Sequence, residues 1–262
     1  MSRYSRQARN EQIWAPRFQT YLRSEYRRAA KEYPEPFNPN VERLEALMTT
    51  LHTRIILFEA EQTYVEYIMP FDSEDRRKDM LDFLAGAFRG GGLINFWQNL
   101  VGEYLQARIT RKISSITETT RKMVMRIIEQ GLNDGEGPEV IARRLRAEGD
   151  LQLNRSRMIA RTETMSAMNQ GALLAAESSE FQMEKRWDAT LDQRTRLTHR
   201  DADIYGDWVD LDQMFYLQNN LGVLEEAIAP GDANLSPENS INCRCGLDIR
   251  VKRDANGQII RK

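Results

Sequence analysis

The chain's two cysteines lie two apart, in Cys243-Arg244-Cys245, and with His199 they are the first candidates for chemistry. A period of two on a strand puts both thiols on the face of Ile241 and Leu247. Their Cα atoms would then stand about 6.5–7 Å apart, at or beyond the reach of a disulfide. Zinc takes four ligands from cysteine, histidine and carboxylate. The sequence offers Cys243, Cys245, His199 and either Asp192 or Asp203, with no second cysteine pair. The expectation is therefore no metal and no cofactor, with two cysteines that act as small buried apolar side chains. If a metal does bind, Cys243, Cys245 and His199 hold it.

A second cluster, Asp192, Arg194, Arg196, His199, Asp201 and Asp203, falls within LDQRTRLTHRDAD. Histidine and carboxylates are the usual general acids and bases. Signs that alternate this closely also make a salt-bridged loop that fixes its own conformation. Catalysis would call for a second motif such as a phosphate-cradling loop, and Gly90-Gly91-Gly92 lacks the Lys-Ser/Thr of one. No catalytic residue is expected. Arg161 and Glu163 lie at i and i+2 and diverge on a helix, so they are expected to reach neighbouring strands rather than each other. Trp187 and Trp208 flank the polar loop and read as core packing.

The elements that must position these groups are helical first. Val41, Leu44, Leu47/Met48, Leu51, Ile55 and Phe58 form one helix face, which continues through Tyr64, Val65 and Ile68. Pro34, Pro36 and Pro39 make a non-helical lead-in. Asp79–Phe88 runs into the three glycines, and Leu93–Leu105 resumes the helical period. Ser115 and Glu118 have capping-box spacing and predict a helix start, with Gly131 as its end. A short helix over Glu139–Ala147 follows Pro138, and Asn154 is expected to cap a longer one over Arg155–Ala176. Beyond it the period changes to two. Phe181, Met183, Lys185, Trp187 and Ala189 form one strand face, with Lys185 the one charged residue on it. Ile241, Cys243, Cys245, Leu247, Ile249 and Val251 form another, read as a central strand with one buried face.

Composition bounds the class. Of 262 residues, 41% are hydrophobic and 29% charged, which excludes wholesale disorder. No apolar run approaches the roughly 20 residues of a membrane span. The start, MSRYSRQARN, lacks the apolar core of a secretory signal, so the expected location is the compartment that makes the protein. The net charge is −2, yet residues 1–31 carry eight basic and two acidic side chains, and 30 of the 37 basic residues are arginine. Arginine's planar fork suits carboxylate or phosphate. The arginine-rich ends are read as solvated surface or as a partner-binding arm at the N-terminus.

RTETMSAMNQG, then a strand tryptophan, DQRTRLTH, PGD and INCRC stand in that order over residues 113–251. Together they resemble the phage Mu F-like head morphogenesis family, which includes minor capsid proteins of siphophages. The family pattern falls on Arg161, Thr162, Glu163, Trp187, Asp192, Arg194, Arg196, His199, Asn242, Cys243, Arg244 and Cys245. Family members often carry a cysteine pair upstream of the histidine, where this chain has Asp192-Gln193-Arg194-Thr195. The family glycine after the histidine would be Gly206. The resemblance implies an α+β fold, with a helical N-terminal region followed by helices packed on a small antiparallel sheet. It implies a helical docking region over 1–110, the head-morphogenesis domain over 111–252 and a basic C-terminal tail over 253–262. It also implies a low-copy structural component of the virion and not an enzyme, inside the capsid and in the host cytoplasm during assembly. The expected partners are the portal protein and the major capsid or scaffold protein, with genomic double-stranded DNA through the arginine-rich ends, and no membrane. The alternatives are an internal DNA-binding protein ejected with the genome, and a metal-dependent or toxin-related enzyme domain.

Overall fold

In a computed structural model, residues 2–74, 77–78, 94–204 and 207–262 are described. Asp79–Phe88, the glycine triplet and Gly206 lie outside these residues, as do the side chains of Asp201 and Asp203. The helices are α1 (Arg3–Glu32), α2 (Val41–Thr63), α3 (Ile94–Asn133), α4 (Pro138–Asp150), α5 (Leu153–Glu177), α6 (Leu197–Ile204) and α7 (Pro237–Ser240). A π-turn over Tyr64–Ile68 and a 3-10 turn over Met69–Phe71 follow α2. The strands are β1 (Met183–Asp188), β2 (Val209–Asp210), β3 (Phe215–Gln218), β4 (Leu224–Ala227) and β5 (Gly246–Val251). This is the α+β class read from the sequence. The chain divides into two compact units, each discontinuous in sequence: Met1–Leu51 with Leu105–Arg161, and His52–Tyr104 with Thr162–Lys262.

The first unit is helical. Trp14, Phe18, Leu22 and Tyr26 recur every fourth residue along α1 and are buried, one face of a 3.6-residue helix. Tyr26, Ala29 and Ala30 share a core with Phe37, with Val124 and Ile128 of α3, and with Ile141, Ala142 and Leu145 of α4. The basic N-terminus is therefore not an arm that waits for a partner but a core helix. Alternation of arginines with aromatics at helical spacing carries this, and net charge alone hid it. Asn40, the last residue of the proline-rich lead-in, accepts from Arg43 N–H at 2.8 Å and caps α2. Buried Glu25 accepts from Asn40 N–H at 2.8 Å and pairs with Arg28 at 2.7 Å.

Three expected punctuation marks fall differently, and one of them is Asn154, which lies inside α5 because that helix already starts at Leu153. Ser115 and Glu118 do not start a helix, because α3 runs unbroken from Ile94 to Asn133. Glu118 instead receives Arg121 at 2.9 Å one turn on, and Thr119 donates to the Ser115 carbonyl at 2.8 Å. Gly131 lies inside α3; a Cβ there would come within 2.6 Å of Ile141 Cγ1, so it serves the close approach of α3 and α4.

In the second unit β1 is central, flanked by β2 and β5 in an antiparallel sheet, and β3 pairs with β4 as a separate hairpin. Strand β5 is thus an edge rather than the expected centre. It also starts at Gly246, not Ile241, because Asn242 adopts φ 62° and turns the chain. Leu247, Ile249 and Val251 are nonetheless buried on one face. On β1, Met183, Lys185 and Trp187 are buried in alternation with half-buried Glu184, Arg186 and Asp188. Lys185 keeps the buried face by donating to the Ile228 carbonyl at 2.9 Å and lying 5.1 Å from the Phe215 ring centre. Trp208 is not core; it is half-buried, with the guanidinium groups of Arg186 and Arg250 at 5.0 and 4.2 Å from its ring. In the basic C-terminal segment, the Ile260 carbonyl accepts from Gln182 N–H at 2.9 Å, and Arg253 bridges Ile259.

Candidate functional site

Helix α5 turns RTETMSAMNQG into a scaffold, because successive residues on a helix point about 100° apart. In the first unit Arg161 makes a two-pronged pair with Glu11, at 2.9 and 2.8 Å. In the second unit the Thr162 hydroxyl accepts from Asn242 N–H at 2.8 Å, which holds the left-handed turn of INCRC. Glu163 meets His52 at 3.0 Å, both buried. One turn later the Ser166 hydroxyl donates to the Gly231 carbonyl at 2.9 Å. Gly231 has φ 79°, and a Cβ on it would lie 3.2 Å from Ser166 Cα, so PGD needs its glycine twice over.

Asn169 does most of the joining. Its amide nitrogen donates to the Pro230 carbonyl at 2.8 Å and the Cys245 carbonyl at 3.2 Å, and its oxygen accepts from Leu247 N–H at 3.0 Å. Buried Asp232 accepts from Ile228 N–H at 3.0 Å and from Asn234 N–H at 2.9 Å, which closes the PGD turn on itself. Sequence reasoning met Ser166, Asn169 and Asp232 only as members of the RTETMSAMNQG and PGD motifs, with no role given to them, and did not single out His52. The available signal was in plain view: polar side chains at 166 and 169 interrupt a run of alanine, methionine and leucine.

The loop before α6 is clamped to INCRC. Asp192 and Arg244 share two contacts of 2.7 Å, and Arg196 donates to the Ile241 carbonyl at 2.7 Å. The Arg244 guanidinium, with the Arg194 N–H and the Thr195 hydroxyl, holds the Asp192 carboxyl well below the usual carboxylate range. Arg194 itself is largely exposed, and its guanidinium lies 3.8 Å from Asp192. Thr190 donates to the Arg244 carbonyl at 3.0 Å.

Inside this clamp His199 faces both thiols. Its Nδ1 lies 3.4 Å from Cys245 Sγ and 3.6 Å from Cys243 Sγ, and all three ligand atoms lie within 4.8 Å of one another. All three side chains are at most 4% exposed. Both cysteines are free thiols. The Cys243 thiol, hydrogen-bonded to Cys245 and buried, is pushed up, and the Cys245 thiol that accepts from it and from His199 is pushed down. Trp187 meets the His199 ring edge-on at 5.3 Å and Phe215 at 5.4 Å, which seals the trio from the hairpin side. Asp192, one candidate for a fourth ligand, is committed to Arg244 and does not join the trio.

Twelve residues carry the sequence motif, and the buried ones make contacts that build a fold rather than line an open cleft. A helix that anchors a Pro-Gly-Asp turn and a Cys-x-Cys strand lead-in is the frame of this α+β fold. Residues 122–248 match the family described as Phage Mu protein F like protein. It is 35% identical over 123 residues to the minor head protein GP7 of Bacillus phage SPP1, covering 46% of this chain and 37% of that one. It is also 29% identical over 157 residues to the NAD(+)–arginine ADP-ribosyltransferase EFV of Enterococcus faecalis (strain ATCC 700802 / V583), covering 56% of this chain and 31% of that one. The chain thus spans about a third of the length of these curated relatives. No solved structure matches.

Proposed function

We propose that the chain is a minor head protein of a tailed phage, a low-copy structural component bound at the portal inside the head and needed for assembly or DNA passage. The observation that carries this reading is the 35% identity to a minor head protein, together with motif residues that serve architecture. It is a structural and not an enzymatic role: buried Glu163 is engaged by His52, Asp192 by Arg244, and His199 faces two thiols in the core. The ADP-ribosyltransferase shares 31% of its length with this chain, consistent with one structural domain joined to different neighbours. Among the described residues no helix is long and apolar enough to cross a membrane.

The portal is favoured over DNA because part of the basic surface at the two ends is already paired. Arg23 meets Asp150 at 2.8 Å, Arg28 meets Glu25 and Glu32, and Arg261 meets Glu180 at 3.2 Å. Arg250 meets Glu184 at 2.8 Å, and Lys252 pairs with Asp210. Each such pair removes a cation that would otherwise release counterion from a phosphate. Quantitative mass spectrometry of purified heads tests the reading. The chain should be present at far lower copy than the major capsid protein and should cross-link to the portal. Heads without the chain, or cross-links confined to DNA, would overturn it. Steep salt dependence of duplex binding would favour an ejected DNA-binding protein instead.

A further inference from the structure

We propose that Cys243, Cys245 and His199 form a binding site for a thiophilic divalent cation of the zinc class, which clips α6 to the lead-in of β5. Ligand count argued against a metal at the level of sequence. The geometry of the three donors argues for one, independently of the head-protein reading.

Zinc–sulfur bonds of about 2.3 Å and zinc–nitrogen bonds of about 2.0–2.1 Å at tetrahedral angles place a nitrogen and a sulfur ligand about 3.6 Å apart. The two distances here are 3.4 and 3.6 Å. A hydrogen bond does not account for both. An imidazole Nδ1 has either one hydrogen or one lone pair and can satisfy one thiol, yet both sulfurs approach it almost equally. Two sulfurs at nearly equal distance from one nitrogen, with all three donor atoms within 4.8 Å of one another, have the spacing that a shared ion takes.

The backbone around the donors is held as ligand loops are held. Cys245 N–H donates to Cys243 Sγ at 3.4 Å, which fixes where that sulfur sits. Arg244, between the two cysteines, points outward and is locked to Asp192. Asn169 fixes the Cys245 carbonyl and Arg196 fixes the Ile241 carbonyl. Outer contacts of this kind orient metal ligands and raise affinity. Three protein donors leave one position of the tetrahedron to a ligand from outside the trio. The clip joins residues 199 and 243 across the β3–β4 hairpin and the PGD turn.

Cobalt(II) tests the site, because its thiolate complexes absorb where protein does not. The full-length chain, reduced and freed of metal by chelator dialysis, is titrated with Co2+ and then with Zn2+. A thiolate-to-cobalt charge-transfer band that saturates at about one equivalent and is bleached by about one equivalent of zinc is the expected result. Cys243→Ser should abolish the band while far-ultraviolet circular dichroism stays native. His199→Cys, which offers a third thiolate, should retain stoichiometric binding with a stronger band. Absence of a saturable band in the unmodified protein would overturn the proposal, and so would a band that Cys243→Ser leaves unchanged.

Discussion

The two units are stabilised in different ways. The helical one is a packing problem: aromatic and aliphatic side chains of α1, α3 and α4 fill a core, and its arginine pairs with Asp150 lie at the surface. The sheet-containing one buries more polarity than Glu25, Thr120, Gln152 and Ser156 bring to the first. Lys185, His52, Glu163, Ser166, Asn169, His199 and Asp232 are all inside, and each hydrogen bond quoted above decides where a turn or strand sits. Apolar cores tolerate exchange of similar volumes, whereas a buried polar network fails when one member leaves its partners unsatisfied. The difference explains why the recognisable motif lies in the second kind of core. Many sequences fill the first; few residue types can replace an amide that donates twice and accepts once.

The largest effect should come at that amide. Asn169→Leu keeps volume but strands the Pro230 and Cys245 carbonyls and the Leu247 N–H. Each lost bond to a buried group costs about 1–3 kcal/mol, so the second unit should lose about 3 kcal/mol or more. The matched change in the first unit, Leu145→Met, should cost less than about 1.5 kcal/mol. Chemical denaturation of both variants measures the contrast, and equal losses would erase the distinction between the two cores.

A smaller effect separates the units by pH. Burial pushes the Lys185 ammonium from 10.5 down to about 8, partly offset by Asp212, Glu177 and Asp232. Between those values the unfolded chain holds the proton and the folded chain does not. This residue's contribution therefore makes stability rise with pH across that window and leaves it flat below. Lys185→Met should remove that rise, so the difference between the stability curves of the two proteins changes slope near pH 8. A constant difference from pH 7 to pH 10 would show that the ammonium is solvated, contrary to its place on β1.

Much of this was legible in the sequence and some was not, for physical reasons. Leu44, Met48, Leu51 and Ile55 of the α2 stripe, the helices α4 and α5 and the buried face of β1 follow from periodicity, whereas Val41, Phe58 and Val65 of the same stripe are exposed. The N-terminal helix was obscured because eight basic residues dominate its composition, although Trp14, Phe18, Leu22 and Tyr26 stand at helical spacing. The start of β5 was misplaced because alternation in burial survives a turn: Cys243 and Cys245 are buried, yet Asn242 is left-handed. Gly131 misled because a glycine required for close helix approach looks like one required for a helix end. His199, Cys243 and Cys245 were nameable as a trio, but whether they converge depends on a turn, a clamp and a helix 44 residues apart in sequence. No local pattern encodes that distance.

The central claim is that the family motif acts through architecture. It is tested most directly by measuring, for one panel of variants, both unfolding free energy and the amount of chain in purified heads. Asn169→Leu, Glu163→Ala, Thr162→Val and Asp192→Asn span the motif from its most to its least buried contact. The account predicts that head incorporation falls in the order in which stability falls, with Asp192→Asn closest to the unmodified protein. A variant as stable as the unmodified chain that is nevertheless missing from heads, or that is incorporated and leaves them inactive, would contradict it.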